Sequence, residues 1–160
     1  MNNRIAHAAQ TFHQNASCLK QAVNGLTDDE WLRQPNDRSN HMLWIVGHVT
    51  WARTALLARL NAPWVTPWMG LYARGKPCEN GPDCPSPAAA MEAWNESCRR
   101  LSAAMEAASE ELLDTPAAQG PPSADGKLSG IVDFLAFHET YHVGQMAYLR
   151  SWLGRGGPMG

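Results

Sequence analysis

The sequence of 160 residues has no long hydrophobic run and no excess of positive charge. A helix that spans a bilayer needs about 18 consecutive apolar residues, and no segment approaches that length. Thirteen basic residues face fifteen acidic ones, so the chain offers no basic surface for nucleic acid and no polybasic patch for a membrane. The N-terminal residues contain no apolar signal core. We therefore expect a cytoplasmic protein without nucleic-acid or membrane partners.

Cysteine is also scarce, because only four are present. Four cysteines are too few to staple a domain of this length through disulfides. Cys18 and Cys98 fall at helical core spacing, which is typical of small buried apolar residues. Cys78 and Cys84 flank a turn-rich segment and could form a bridge or hold a metal, although their separation is not that of a CxxC pair. The expected compartment favours two reduced thiols.

The chain does have four long segments with apolar residues at alternating steps of three and four. This spacing is typical of amphipathic helices that pack on a shared core. No segment alternates with the two-residue period of a strand. The sequence therefore predicts an all-α domain over residues 1–154 and a flexible tail at 155–160. Its four helices are predicted to span Ile5 to Gly25, residues 40–60, Ser86 to Asp114, and Ser129 to Gly154.

Residues with capping preferences mark the predicted helix ends. Ser39 and Ser86 are predicted N-caps of the second and third helices, and Thr27 with Glu30 fits a capping box for a short helical turn. Gly25 and Gly154 are placed to end the first and fourth helices. About 25 residues rich in Pro, Gly and Trp separate the second and third helices. Loops of this length are uncommon unless they cover something.

The second and fourth helices carry polar residues where the helical period demands apolar ones. These residues are His48 in the second helix and His138, His142 and Gln145 in the fourth. An unpaired polar group in a core costs about 1–3 kcal/mol, against about 5–15 kcal/mol of total stability for a domain. Either each histidine bonds to a neighbouring carbonyl or water as an ordinary core residue, or a divalent metal satisfies them together.

The spacing of these histidines is compatible with one metal site. His138 and His142 are four residues apart, so both side chains lie on one helix face, as in known zinc-binding helices. His48 lies near the middle of its helix and could complete the site from a facing helix. His41 precedes His48 by seven residues, about 10 Å along the axis, which is too far to share the same ion.

The run from His138 to His142 also matches HExxH, the zinc metalloprotease motif in which the glutamate is the general base. The residues after His142 include no Asp, Glu or His to act as a downstream ligand, and no predicted strand could align a peptide. We therefore expect the third ligand to be His48. Glu139 then has two possible roles. It acts within the site, as a base or as a hydrogen-bond partner of a ligand, or it forms a salt bridge between helices. Gln145 is expected to bond a metal-bound ligand, fix an imidazole, or serve as a core amide.

The runs LWIVGHVTWAR at 43–53 and FHETYHVGQ at 137–145 resemble the DinB/YfiT-like superfamily of metalloenzymes. The Gly-His pair and the HxxxHxGQ run are the most specific marks. The resemblance implies an up-down-down-up four-helix bundle with a long crossover between the second and third helices, and a homodimer. It also implies a divalent ion, commonly zinc or nickel, held by His48, His138 and His142.

The superfamily members of known activity include S-transferases that use bacillithiol or glutathione-like thiols, and a mycothiol-dependent isomerase. Three neutral histidines leave a coordination position open, as in catalytic zinc sites, for either an activated water or a thiolate. We expect a metal-dependent hydrolase or thiol S-transferase that acts on a small molecule, the latter with a low-molecular-weight thiol. Gln145 and Glu139 are its candidate catalytic residues. The alternative is a non-catalytic metal-stabilised bundle or a small-molecule-binding module.

Overall fold

A computed structural model describes residues 2–157, and over this range the chain is helical without strands. The all-α prediction is confirmed. None of the helices in this range combines the length and the apolar character needed to cross a bilayer. Six α-helices occur together with two short 3-10 turns, Asn3–Ile5 and Met69–Tyr72. The α-helices are α1 Ala6–Val23, α2 Asp28–Leu32, α3 Met42–Arg59, α4 Pro87–Ala107, α5 Glu110–Leu113 and α6 Leu128–Trp152.

The four long helices pack on one another, α1 against α6, α6 against α3, and α3 against α4. Their shared interior contains two groups of buried apolar side chains. One is centred on Leu56 and Leu101, and the other on Ile45 and Trp94. Burying this surface removes it from water, which gives about 25 cal/mol of stabilisation per Å². Along α6, His138, Glu139 and His142 lie between the stretch that contributes to the first group and the stretch that contributes to the second.

Local side-chain chemistry sets several of the predicted helix ends. Thr27 and Glu30 form the predicted capping box, since each side chain accepts a hydrogen bond from the backbone N–H of the other. Ser86 caps α4, as predicted. Gly25 and Gly154 follow α1 and α6 with φ of 72° and 75°, a left-handed conformation that glycine adopts without strain.

The start of α3 differs from the prediction. The helix begins at Met42, and its N-cap is His41 rather than Ser39. The Nδ1 of His41 accepts the backbone N–H of Trp44 at 3.0 Å, which is the role usually filled by a hydroxyl or carboxylate oxygen. His41 is therefore a buried structural residue, and its Nδ1 is already occupied.

The third predicted helix is interrupted. α4 ends at Ala107, and Ser109 caps the separate short helix α5 by accepting the backbone N–H of Leu112. The apolar spacing continues through the break, so periodicity alone predicted one helix. α6 begins at Leu128, one residue before the predicted Ser129, without a side-chain cap.

The C-terminal segment after α6 is described only as far as residue 157. The Arg155 guanidinium binds both carboxylate oxygens of Glu30 at 2.8 Å. Residues 158–160 of the predicted tail lie outside the described residues. The division into a domain at 1–154 and a tail at 155–160 stays a prediction.

Candidate metal centre

Three histidine side chains from α3 and α6 converge between the two helices. The Nε2 atom of His138 lies 3.4 Å from Nε2 of His48 and 3.1 Å from Nε2 of His142. Two nitrogen ligands at about 2.0–2.1 Å from a tetrahedral ion are about 3.3 Å apart. The three ligand atoms all lie within 4.8 Å of one another, so the three histidines form a group that could hold one metal ion.

The hydrogen bonds on the far side of two rings decide which ring nitrogens carry protons. Nδ1–H of His48 donates to the carbonyl of Tyr72, and Nδ1–H of His142 donates to Oε1 of Gln145, each at 2.8 Å. A neutral imidazole has one N–H, so both Nε2 atoms present lone pairs to the centre. If His138 carried its proton on Nε2, this N–H could donate a good hydrogen bond to Nε2 of His48 or of His142 but not to both. A cation satisfies all three nitrogens, and the residues therefore fit a metal ion.

The three imidazoles are held in their neutral form. Desolvation by burial lowers the pKa of His48. Burial and the neighbouring histidines lower the pKa of His142 to about 4. Burial also lowers the pKa of His138 to about 4, with smaller contributions from His48 and from the positive charge of Arg74. At neutral pH the lone pairs are therefore available to a metal.

His48 is fixed between two tryptophan rings of its own helix. Its ring stacks on Trp44 at a centroid distance of 4.8 Å and on Trp51 at 5.4 Å. These residues are four positions before and three positions after His48, so they lie on the same helix face. The stacking restricts the plane of the imidazole and therefore the direction of its Nε2 lone pair.

The long connection between α3 and α4 supplies the backbone partner of His48. Its 3-10 turn Met69–Tyr72 packs on α3 and brings the Tyr72 carbonyl to His48. The close approach depends on Gly47, because a Cβ there would lie 2.7 Å or less from three carbons of the Tyr72 ring. The glycine that precedes the histidine in the sequence therefore makes room for the residue that orients it.

Glu139 binds an arginine rather than a histidine. Its two carboxylate oxygens accept from Nε and Nη2 of Arg53 at 2.6 and 2.8 Å, and each side chain is only 3% exposed. The Arg53 guanidinium also stacks on the Trp94 ring at 4.1 Å. Burial disfavours the charged form of Arg53, but the facing carboxylate outweighs this and keeps its pKa above the ordinary value. Glu139 thus takes the interhelical salt-bridge position, and the structure does not bring it together with the histidines.

Gln145 lies beside the histidines. Besides accepting from His142, it donates from Nε2 to the hydroxyl of Tyr141 at 3.1 Å. The second bond fixes the orientation of the amide, with its oxygen towards the imidazole. Among the predicted roles of Gln145, these contacts correspond to fixing an imidazole.

The two loop cysteines are not part of the centre. Cys78 and Cys84 are separate thiols, and Cys78 Sγ accepts the backbone N–H of His41 at 3.5 Å. Within residues 2–157, His48, His138 and His142 are the one group of three or more His, Cys, Asp or Glu side chains that could hold an ion.

A cavity of about 590 Å³ opens beside His48 and His138. Trp51, Phe134 and Leu135 give it largely apolar walls. Small-molecule sites are commonly concave, mostly apolar and of about this size. The histidine centre therefore faces a space that is large enough for a small organic ligand.

Two residues that shape the centre carried little signal in the sequence. Tyr72 acts through its backbone carbonyl, which leaves no side-chain pattern. Arg53 precedes its partner Glu139 by 86 positions, so no local spacing connects them.

Comparison with known families gives a match over most of the chain. The family model of the DinB superfamily matches residues 11–146, a range that includes all three histidines and Gln145. No curated protein matches the sequence. The family match agrees with the resemblance found in the two histidine-containing runs. The chain belongs to the DinB superfamily.

Proposed function

We propose that this protein is a metal-dependent thiol S-transferase, with a divalent ion, zinc or nickel, held by His48, His138 and His142. The observation that carries the proposal is the close approach of three histidine Nε2 atoms beside a largely apolar cavity. When bound, the ion would ionise a coordinated thiol and so supply a thiolate nucleophile at neutral pH. A low-molecular-weight thiol is the expected cofactor, and a small electrophile in the cavity is the expected substrate.

The position of Glu139 favours thiol transfer over hydrolysis. A hydrolase benefits from a general base that removes a proton from the attacking water. Glu139 is the only carboxylate in the HExxH run, and Arg53 occupies both of its oxygens. No acidic side chain lines the cavity among the described residues. A coordinated thiol would be deprotonated outright, whereas coordinated water would have a pKa of only about 7, so thiol transfer depends less on such a base.

The residues of the chain have separate tasks in this proposal. The three imidazoles provide neutral ligands, and Tyr72 and Gln145 orient two of them through their Nδ1–H groups. Gln145 is therefore a positioning residue. Trp51 and Phe134 contribute apolar walls that exclude water from the reacting groups. Arg53 and Glu139 join α3 to α6 beside the histidines.

We also propose the up-down-down-up order for the four long helices. Arg4 next to α1 binds Ser129 at the start of α6, and Arg150 near the end of α6 binds the carbonyl of Ala22 near the end of α1. Contacts that match start to start and end to end support a parallel pair. In the up-down-down-up order the first and fourth long helices run in the same direction, and α1 and α6 are these two helices.

We propose a homodimer, formed through the exposed side of α6. Phe137, Tyr141 and Tyr148 lie at helical spacing on this side and are 67%, 59% and 63% exposed. Large apolar side chains in one stripe are typical of interaction surfaces. Sedimentation of the wild type should give twice the monomer mass, and Tyr148→Ser should shift it towards the monomer. A monomeric wild type would refute the dimer.

The metal site is tested by metal analysis of the untagged protein. We expect one ion per chain in the wild type and less than a tenth of that in His48→Ala and His142→Ala, with helicity retained. His13→Ala is the matched control, because His13 is exposed on α1 and should not change the metal content. Full metal content in either of the first two variants would remove that residue from the site.

The reaction is tested with two probes. The metal-loaded wild type should conjugate cysteine or glutathione to 1-chloro-2,4-dinitrobenzene above background, and His142→Ala should not. Either thiol should also change the visible spectrum of the cobalt-substituted protein. Hydrolysis of 4-nitrophenyl acetate without thiol conjugation would indicate a hydrolase instead. A cobalt spectrum unaffected by thiols and azide would indicate a closed, structural site.

A further inference from the structure

The cavity beside the histidine centre has an unbalanced charge. Arg59, in the last turn of α3, and Arg74, in the connection after the Met69–Tyr72 turn, both line it. They are the only charged side chains among the described residues of its wall, since the histidines are neutral. Two positive charges therefore face an apolar space that has no carboxylate to balance them.

Neither arginine forms an ion pair with a carboxylate of the described residues. In the described part of the chain, Arg59 donates to the backbone carbonyls of Ala55 and Gln119 and to no carboxylate. Arg74 is exposed, and no hydrogen bond or ion pair joins it to another residue in the range 2–157. By contrast, Arg53, Arg100 and Arg155 each bind a carboxylate. The cavity thus combines two arginines whose charge remains available to a ligand.

The position of Arg59 is also determined by the loop before α6. Gly120 has a φ of 130°, which side-chain-bearing residues rarely adopt, and a Cβ at this position would overlap Nη2 of Arg59. Glycine therefore lets the guanidinium lie against the loop, where the Gln119 carbonyl holds it at 3.2 Å. A guanidinium held in this way loses less conformational entropy when it binds an anion.

We propose that the cavity binds small molecules that combine an apolar body with an anionic group, a carboxylate or a phosphate monoester. The anionic group would meet Arg59 and Arg74, while the body would pack between Trp51 and Phe134. Arginine suits both groups because its N–H fork can donate two parallel hydrogen bonds. Binding of such a molecule does not depend on the proposed function. Reaction of its other end at the histidine centre does.

The proposal is tested by calorimetry on the zinc-loaded protein. The probes are 2-naphthoate, 2-naphthyl phosphate and the neutral analogue 2-naphthamide. We expect the two anions to bind more tightly than the amide, and Arg59→Gln and Arg74→Gln each to weaken anion binding by about tenfold. The zinc content of both variants should remain that of the wild type.

Arg38→Gln is the matched control. Arg38 is exposed and lines a separate cavity of about 580 Å³ nearer the C-terminal end of α6. Its substitution should leave anion binding unchanged. Equal affinity for anions and amide, or a loss of binding in Arg38→Gln alone, would overturn the proposal. Binding that depends on both arginines in a protein that takes up neither zinc nor nickel would support the anion site and refute the proposed function. If one anion alone binds through both arginines, the substrate class is narrowed to that anion.

Discussion

Substituting Gly47 with alanine should weaken metal binding without touching a ligand. The new Cβ would lie 2.7 Å or less from three carbons of the Tyr72 ring, whereas ordinary contacts begin at 3.4 Å. The ring must therefore move by about 1 Å, a displacement of the kind that overpacking forces on a core. Tyr72 is 1% exposed, so the ring cannot swing into solvent. The strain must reach its backbone, whose carbonyl holds His48.

Two opposing effects set the size of the stability change. Overpacking a core costs about 1–3 kcal/mol. Alanine gains about 1 kcal/mol over glycine inside a helix. We expect Gly47→Ala to lose about 0–2 kcal/mol in denaturant-induced unfolding. Loss of an outer hydrogen-bond partner of a metal-bound histidine typically lowers metal affinity by about 10–100-fold, and we expect this range in a chelator-competition titration.

Gly144→Ala is the internal control for this prediction. Gly144 lies within α6, between His142 and Gln145, and a Cβ there would meet no atom within 4 Å. This variant should be as stable as the wild type or more stable by about 0.5–1 kcal/mol, with metal affinity within about twofold. If Gly47→Ala binds metal as tightly as Gly144→Ala, the reasoning that links the glycine, the Tyr72 carbonyl and His48 is refuted.

Two further predictions concern the ion pairs. Arg53→Met or Glu139→Gln alone should destabilise the fold by about 3–5 kcal/mol, because each leaves an uncompensated buried partner. The double variant should lose less than the sum of the two in denaturant unfolding, and additive losses would contradict a coupled pair. The hydrogen bonds from Arg155 and from the Thr27 N–H lower the pKa of Glu30 from 4.5 to about 2. Glu30→Gln keeps an acceptor for the capping box but removes the charge that binds Arg155. A carboxylate with a lowered pKa stabilises the fold above its unfolded pKa, so the Tm difference from the wild type should be full at pH 6, shrink below about pH 4.5 and vanish near pH 2. A difference independent of pH would contradict this assignment.

The long helices could be predicted because their signals are local. Apolar spacing marks the helix faces, and the side chains of Thr27 and Ser86 cap helices within three residues of themselves. The errors also have local causes. Apolar periodicity does not reveal the N-cap at Ser109, because the apolar spacing continues through the break after α4. The N-cap of α3 is His41 rather than Ser39. The sequence favoured Ser39 because serine is preferred over histidine at N-cap positions.

The histidine centre could be located because polar residues at core positions stand out along the sequence. Its supporting contacts could not be predicted, since they depend on how distant segments pack. The Tyr72 carbonyl comes from a loop 24 residues after His48, and any residue type has such a carbonyl. The role of Gly47 also became visible only when the Tyr72 ring was placed over it.

The fate of Glu139 follows from the position of the third histidine. In the HExxH pattern the glutamate lies next to the first histidine, about 100° around the helix from it. Here the helix that brings His48 to His138 also carries Arg53, five residues further along, and the same packing of α3 on α6 brings Arg53 to Glu139. A third histidine from upstream and a glutamate bound by arginine are therefore two consequences of one helix contact. The sequence therefore matches the protease motif, but Glu139 is bound by Arg53 and is not placed to act as the base that a protease needs.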